Sequence, residues 1–139
     1  MDLFEDYELV VEFRAGKMKM EGKMVYADPR KGLLSVYRNP GGIINFIWRN
    51  RLNFKVEDDL IVFPNEAEFK KVPQCPTGRV FLLKFIALKQ KYFYWMQEPK
   101  DDDDEYIETL INYILTHPPQ SFLDFLRSIN GIVPDEEDL

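Results

Sequence analysis

Two side chains of this 139-residue chain have the chemistry of a nucleophile and its base, Cys75 and His117. They are the single cysteine and the single histidine. Neither lies in the motif context that marks a thiol catalytic site. A zinc site needs about four nitrogen or sulfur ligands, and two do not make one. Glu57-Asp58-Asp59 supplies three carboxylates. Adjacent strand residues point to opposite faces, so this run is not expected to form a general acid–base pair. Gly41-Gly42 is too short to cradle a phosphate. The chain therefore reads as a non-enzyme, without cofactor or metal. What remains is surface chemistry. Large apolar residues stand at turns: Ile43 after Pro40-Gly41-Gly42, Phe63 before Pro64-Asn65-Glu66, and Phe85 at the end of an apolar run. A fourth region combines Val72, Pro73, Cys75, Pro76, Val80, Phe81, Trp95 and Pro99. A proline-rich loop beside aromatic strand positions can form a groove for an extended peptide.

Strands must place these residues. Tyr7, Leu9, Val11 and Phe13 alternate with other residues, the period of a half-buried strand. Ala15-Gly16 reads as a break, after which Met18 and Met20 resume the alternation as far as Gly22. Met24-Val25-Tyr26 forms a short strand closed by Asp28-Pro29. Residues 33–37, 43–48, 60–63, 69–72, 79–85 and 92–96 complete the set, with Asn39-Pro40-Gly41-Gly42 as the strongest turn signal. Many short strands with frequent turns point to an antiparallel sandwich or barrel.

After Pro99 the period changes. Tyr106, Ile107, Leu110, Ile111, Ile114 and Leu115 recur at helical spacing on one face. The aspartates at 101–104 are expected to cap this helix and to form a solvated start. His117-Pro118-Pro119 stops it. Ser121 then caps an expected short helix over 121–130, whose stripe of Phe122, Leu123, Phe125, Leu126 and Ile129 needs a surface to pack on. An acidic tail follows. The reading is mainly β with a C-terminal α element, a pleckstrin-homology-like antiparallel sandwich or barrel capped by an amphipathic helix.

Composition narrows the class. Hydrophobic residues make up 45% and aromatics 14% of the chain, enough for a core, which excludes wholesale disorder. One cysteine excludes a disulfide-dense scaffold. The net charge of −6 argues against general nucleic-acid binding. That charge is uneven: residues 101–139 carry eleven acids against Arg127 alone. No apolar stretch approaches the ~20 residues that span a bilayer. The acidic start Met1-Asp2-Leu3-Phe4-Glu5-Asp6 does not read as a secretion leader. Cytoplasm and nucleus are the expected locations, and neither nucleic acid nor membrane is an expected partner.

Several long runs carry a resemblance. They are Val11-Glu12-Phe13-Arg14-Ala15-Gly16-Lys17-Met18, Arg30-Lys31-Gly32-Leu33, Val56-Glu57-Asp58-Asp59-Leu60-Ile61-Val62-Phe63-Pro64, Glu68-Phe69-Lys70-Lys71-Val72-Pro73-Gln74-Cys75-Pro76-Thr77-Gly78-Arg79-Val80 and Tyr94-Trp95-Met96-Gln97-Glu98-Pro99-Lys100. Together they resemble the proteasomal ubiquitin receptor family, also called adhesion-regulating molecule 1, through its pleckstrin-like receptor for ubiquitin. The resemblance covers roughly residues 8–115.

It implies a domain over 1–117, with 118–139 holding the short helix and acidic tail. It implies a non-catalytic receptor of the proteasome regulatory particle that binds ubiquitin and polyubiquitin through inter-strand loops. The family's ubiquitin contacts fall on Ile43, Phe63, Glu66 and Phe85. It also implies docking on the C-terminal tail of a scaffold subunit, with contacts near Met18, Met20, Val25, Val72, Cys75, Pro76, Val80, Phe81, Trp95, Glu98 and Pro99. Trp95 is the expected anchor. Ile43, Glu66 and Phe81 replace the leucine, aspartate and tyrosine common in relatives, so the tail groove is better kept than the ubiquitin loops. Longer members carry a helical domain that recruits a deubiquitinase. No segment here matches it, so no deubiquitinase partner is expected, and the chain is expected to be a monomer. The alternatives are a proteasome-tethered adaptor without ubiquitin affinity and a phosphoinositide-binding pleckstrin-homology domain. The latter would need converging cations, for which Lys17, Lys19 and Lys23 are the candidates.

Overall fold

The structure, a computed structural model, describes residues 7–75, 78–117 and 119. Alternating apolar residues build eight strands: β1 (Glu8–Glu21), β2 (Met24–Ala27), β3 (Gly32–Arg38), β4 (Ile44–Asn50), β5 (Val56–Val62), β6 (Ala67–Lys71), β7 (Val80–Phe85) and β8 (Lys91–Met96). The helix α1 (Asp104–Thr116) follows. Every pairing is antiparallel, in the order β5-β4-β3-β1-β8-β7-β6, with β2 added to β1.

β1 is shared between the two halves of the sheet. Its first part pairs with β3, Ala15 to Lys17 pair with β8, and Met18 to Glu21 pair with β2. The expected break at Ala15-Gly16 is absent. Gly16 instead lets the strand pass beneath Trp95, because a Cβ there would collide with the indole. β5 begins at Val56, earlier than its apolar run suggests, since β4 supplies a partner from Trp48 onward.

The core lies between the two halves. Phe46, Trp48, Phe69, Leu83 and Ile111 are fully enclosed. The Phe69 and Phe81 rings stack with centroids 5.4 Å apart, and Trp48 donates its indole N–H to Ala15 O at 2.8 Å. This is the pleckstrin-homology-like architecture that the alternation and the late helix predict.

Helix α1 closes the core with Ile107, Ile111, Ile114 and Leu115. Tyr106, expected on this face, is exposed instead. The aspartate run also departs from expectation. Asp103 occupies the N-cap position without a side-chain capping bond. Asp104 is buried rather than solvated, and its carboxylate accepts two hydrogen bonds from Arg79, at 2.6 and 2.7 Å. Arg79 also donates to Glu98 O and Lys100 O. Further along, Asn112 accepts the Phe69 N–H at 2.9 Å and donates to Phe69 O at 2.5 Å. Glu108 accepts the Lys71 N–H. Polar helix side chains thus occupy the open edge of β6, where an unpaired strand would invite another chain.

The expected helix at 121–130 and the acidic tail lie outside the described residues.

Breaking a largely buried ion pair by removing one partner costs about 3 kcal/mol. Arg79→Met should therefore lower the urea midpoint clearly and speed amide exchange in the first turns of α1. An unchanged midpoint would show that the helix is held by its apolar face alone.

Candidate functional site

At one end of the sheet three turns come together. In the first, residues 39–42, Asn39 accepts the Gly42 N–H on its backbone oxygen and the Ile43 N–H on its side-chain oxygen. Gly42 has φ +87, and a Cβ on it would stand 3.3 Å from the Pro64 ring of the second turn. In that turn Asn65 adopts φ 64 and donates its N–H to Leu115 O at 2.7 Å, tying the turn to the end of α1. Glu66 accepts the Phe63 N–H through one carboxylate oxygen at 2.8 Å. The third turn, between β7 and β8, is attached by the Ile86 N–H, donated to Glu66 O at 2.9 Å.

These bonds hold Phe63 outward, 54% exposed, with Ile43 half-buried nearby. Phe85 departs from the surface position expected of it. It is buried, edge-on to Tyr92 at 6.0 Å between centroids, because it shares the core face of β7 with Phe81 and Leu83. The exposed apolar groups of the third turn are Ile86 and Leu88. Their signal in the sequence is an apolar Ile86-Ala87-Leu88 inside a short connection that needs no core residue.

A second surface lies on the outer face of β1, β2, β7 and β8. Met20 pairs with Val25, Gly16 with Trp95, and Val80 with Trp95. Trp95 lies over Gly16 and donates its indole N–H to Asp28 O at 3.1 Å. The loop after β6 folds back through the Val72 N–H to Val80 O, and the Cys75 N–H to Val72 O. Cys75 is a free, half-buried thiol. Met18, Val25 and Val72 are half-buried, while Met20 and Pro99 are exposed. Val80 is nearly covered, and Phe81 points into the core against Phe69, so Phe81 supports this surface from behind. Pro76 lies outside the described residues.

Charged side chains fix the rim. Arg14 donates to the Glu98 carboxylate from its Nε and Nη2, at 3.1 and 2.7 Å, and its backbone N–H reaches the other oxygen at 2.9 Å. Gln97 accepts the Gly32 N–H and a bond from Arg51, and donates to Arg30 O. Asp28, buried, accepts four hydrogen bonds from Arg30. Glu57 and Asp58 both reach Lys17, contrary to the opposed faces expected of neighbours. The register shift at the Trp48–Arg49 step turns the start of β5 and brings them together. Lys17 thus stands 4.6 Å from the Trp48 ring centroid between two carboxylates, not in a converging basic cluster.

The model of the family described as proteasome complex subunit Rpn13, Pru domain, matches residues 10–108. The chain belongs to the Rpn13 Pru family. The proteasomal ubiquitin receptor ADRM1 of Homo sapiens is 51% identical over 110 residues, covering 79% of this chain and 27% of that protein. The homologue of Drosophila melanogaster is 55% identical over 96 residues, covering 69% and 25%. The chain therefore spans about a quarter of the length of these relatives. A crystal structure of Dcp1p superposes with a TM-score of 0.62 over 81% of this chain and 89% of that one, at 16% identity, which speaks to the fold alone. The named side chains of both surfaces of this Pru domain, from Arg14 at the rim to Pro99, lie within the matched residues.

The rim of the Pru domain's outer surface carries a pH dependence. Hydrogen bonds from Arg30 hold the Asp28 carboxyl below its ordinary 3.8, against the opposing effect of burial. Hydrogen bonds from Arg14 hold Glu98 below its ordinary 4.5. A depressed folded value stabilises above the unfolded value and is lost as pH falls through the folded one. Stability should be flat down to about pH 5 and drop below about pH 4. Asp28→Asn should start lower and fall less steeply in urea titrations across that window. A parallel profile would remove Asp28 from the account.

Proposed function

We propose that this chain is a non-catalytic ubiquitin receptor of the proteasome. It binds ubiquitin at the three-turn end and docks through its outer face on the extended C-terminal tail of a scaffold subunit of the regulatory particle. The observation that carries the first half is Phe63, an aromatic ring held half outside on a turn braced by Glu66, Asn65 and α1. A Phe side chain buries roughly 150–250 Å² in full. Covering its exposed half at ~25 cal/mol per Å² is worth about 2–3 kcal/mol. Ile43, Ile86 and Leu88 widen the apolar area around it. Ubiquitin presents an apolar patch with an imidazole and basic groups beside it, which suits such a surface. Glu66 spends one oxygen on the Phe63 N–H, so its contribution at the rim is orientation more than affinity. Phe85 acts by supporting the third turn.

The outer face supports the second half. Trp95, held over Gly16, is the anchor of a groove bordered by Met18, Met20, Val25, Val72, Cys75 and Val80. Glu98 and Pro99 close one end, with Glu98 fixed by Arg14. Polyubiquitin is bound through the same turns. The receptor works as a monomer in cytoplasm and nucleus.

Phe63→Arg should weaken ubiquitin binding by about fifty-fold or more, the equivalent of 2–3 kcal/mol. The exposed position should leave the thermal midpoint within a degree or two. Calorimetric titration with mono- and di-ubiquitin checks this. No binding by the unaltered chain favours the adaptor reading, and unaltered binding by the variant moves the site away from Phe63.

Trp95→Ala should abolish capture of a scaffold-tail peptide and leave ubiquitin affinity unchanged. Parallel loss of both activities would show that the two surfaces are not separate.

A further inference from the structure

The outer face of β3, β4 and β5 holds a cavity of about 240 Å³, lined by Tyr7, Tyr37, Asn45, Ile47 and Asp59. None of these residues belongs to the two surfaces described above. Alternation along β4 sends Ile44, Phe46 and Trp48 to the core, and Asn45 and Ile47 to this side. The pairings set Tyr37 against Asn45, Asn45 against Ile61, and Ile47 against Asp59. Leu9 and Ile61, both about half exposed, stand beside it in the sheet.

Two acceptors lie side by side at this cavity, one exposed and one covered. Asn45 is 8% exposed and donates its Nδ2–H to Asp59 Oδ1 at 2.7 Å. A carboxylate can only accept, so that contact fixes the amide's orientation and leaves Asn45 Oδ1 as the oxygen. Asn45 Oδ1 is buried and receives no hydrogen bond. A buried acceptor without a donor is costly, and such groups in native structures call for an explanation. Asp59 itself is exposed, and among the described residues no cation forms an ion pair with it. The nearest basic residue on this face of β4, Arg49, bonds Ser35.

We infer that this cavity is a receptor site for an arginine side chain carried by a protein partner. The guanidinium supplies several N–H donors in a planar fork: it pairs with the exposed Asp59 carboxylate and, by displacing what covers it, reaches the orphan Asn45 oxygen. Its plane packs on the face of a tyrosine, and its methylene stem runs over Ile47. A lysine brings a compact, strongly hydrated charge that serves two neighbouring acceptors and an aromatic wall less well. The site stands whether or not the three-turn end binds ubiquitin.

The test is a titration of isotope-labelled full chain with Nα-acetyl-arginine N-methylamide. The readouts are the Asn45 side-chain amide, the Ile47 methyls and the Tyr37 ring. The expected result is saturable shifts at these groups in the millimolar range, as a fragment of this size allows. Asp59→Asn should weaken them about tenfold or more. The neutral citrulline derivative, used on the unaltered chain, should produce none, a comparison that holds even if the variant loses stability. No saturable shift, an equal response to citrulline, or equal binding of the lysine derivative overturns the assignment.

Discussion

The guanidinium of Arg79 is the point on which the architecture turns. Arg79 stands just before β7 in a left-handed backbone conformation, φ 47. From there it binds the first residue of α1 through Asp104, and the connection before the helix through Glu98 O and Lys100 O. One side chain thus fixes the start of a strand, the end of the neighbouring strand's exit and the origin of the helix. Apolar burial gives α1 its attraction to the core but not its position along the axis, because hydrophobic contact is non-directional. The bidentate ion pair supplies that register.

The helix passes the register on. Asn112, two turns beyond Asp104, grips both backbone groups of Phe69. Leu115, near the last turn, accepts the N–H of Asn65. Asp104 to Leu115 spans about 16 Å at 1.5 Å per residue. Over that length one rod sets the β7 entry at one end and the turn carrying Phe63 at the other. The two proposed surfaces are separated in the same way along β7. Val80 lies at its start on the outer face, and Phe85 at its end on the core face, about 16 Å on. An odd number of steps places them on opposite sides, so a partner on one surface has no side chain in common with a partner on the other.

That parity also explains which residues were legible in the sequence. Period-two alternation located the strands and the turns, and the change to helical spacing located α1. The same alternation hid the direction of Phe81 and Phe85, because in β7 both faces are apolar: Val80 and Leu82 on one side, Phe81, Leu83 and Phe85 on the other. A run that is apolar at every position has no parity to read. The exposed turn residues Ile86 and Leu88 are hidden in the sequence for the converse reason, that a short apolar stretch next to a strand reads as its continuation. Gly16 reads locally as a break because glycine usually interrupts a strand. Here the missing side chain is a space for Trp95, which lies seventy-nine residues further along, and no local pattern carries that information. Asn112 and Glu108 sit among helix residues as ordinary polar positions, and only the edge of β6 gives them a purpose.

The electrostatic asymmetry of the chain takes on a different meaning at this level. The first acids of the C-terminal part are not a uniformly solvated run, since Asp104 is spent on Arg79 and Glu108 on the Lys71 backbone. In the body, many of the charges are similarly engaged: Arg14 with Glu98, Arg30 with Asp28 and Glu57, Lys17 with Glu57 and Asp58. Pairing of this kind reduces the local field around the proposed groove and leaves apolar contact as its means of recognition. It also takes Lys17 out of the set of cations that a phosphoinositide headgroup would require, because Lys17 is held between two carboxylates. Net charge counts residues, whereas recognition responds to those whose charge is not already answered by a neighbour. On the outer face of β4 and β5 the unanswered groups are acceptors, and at the three-turn end they are apolar.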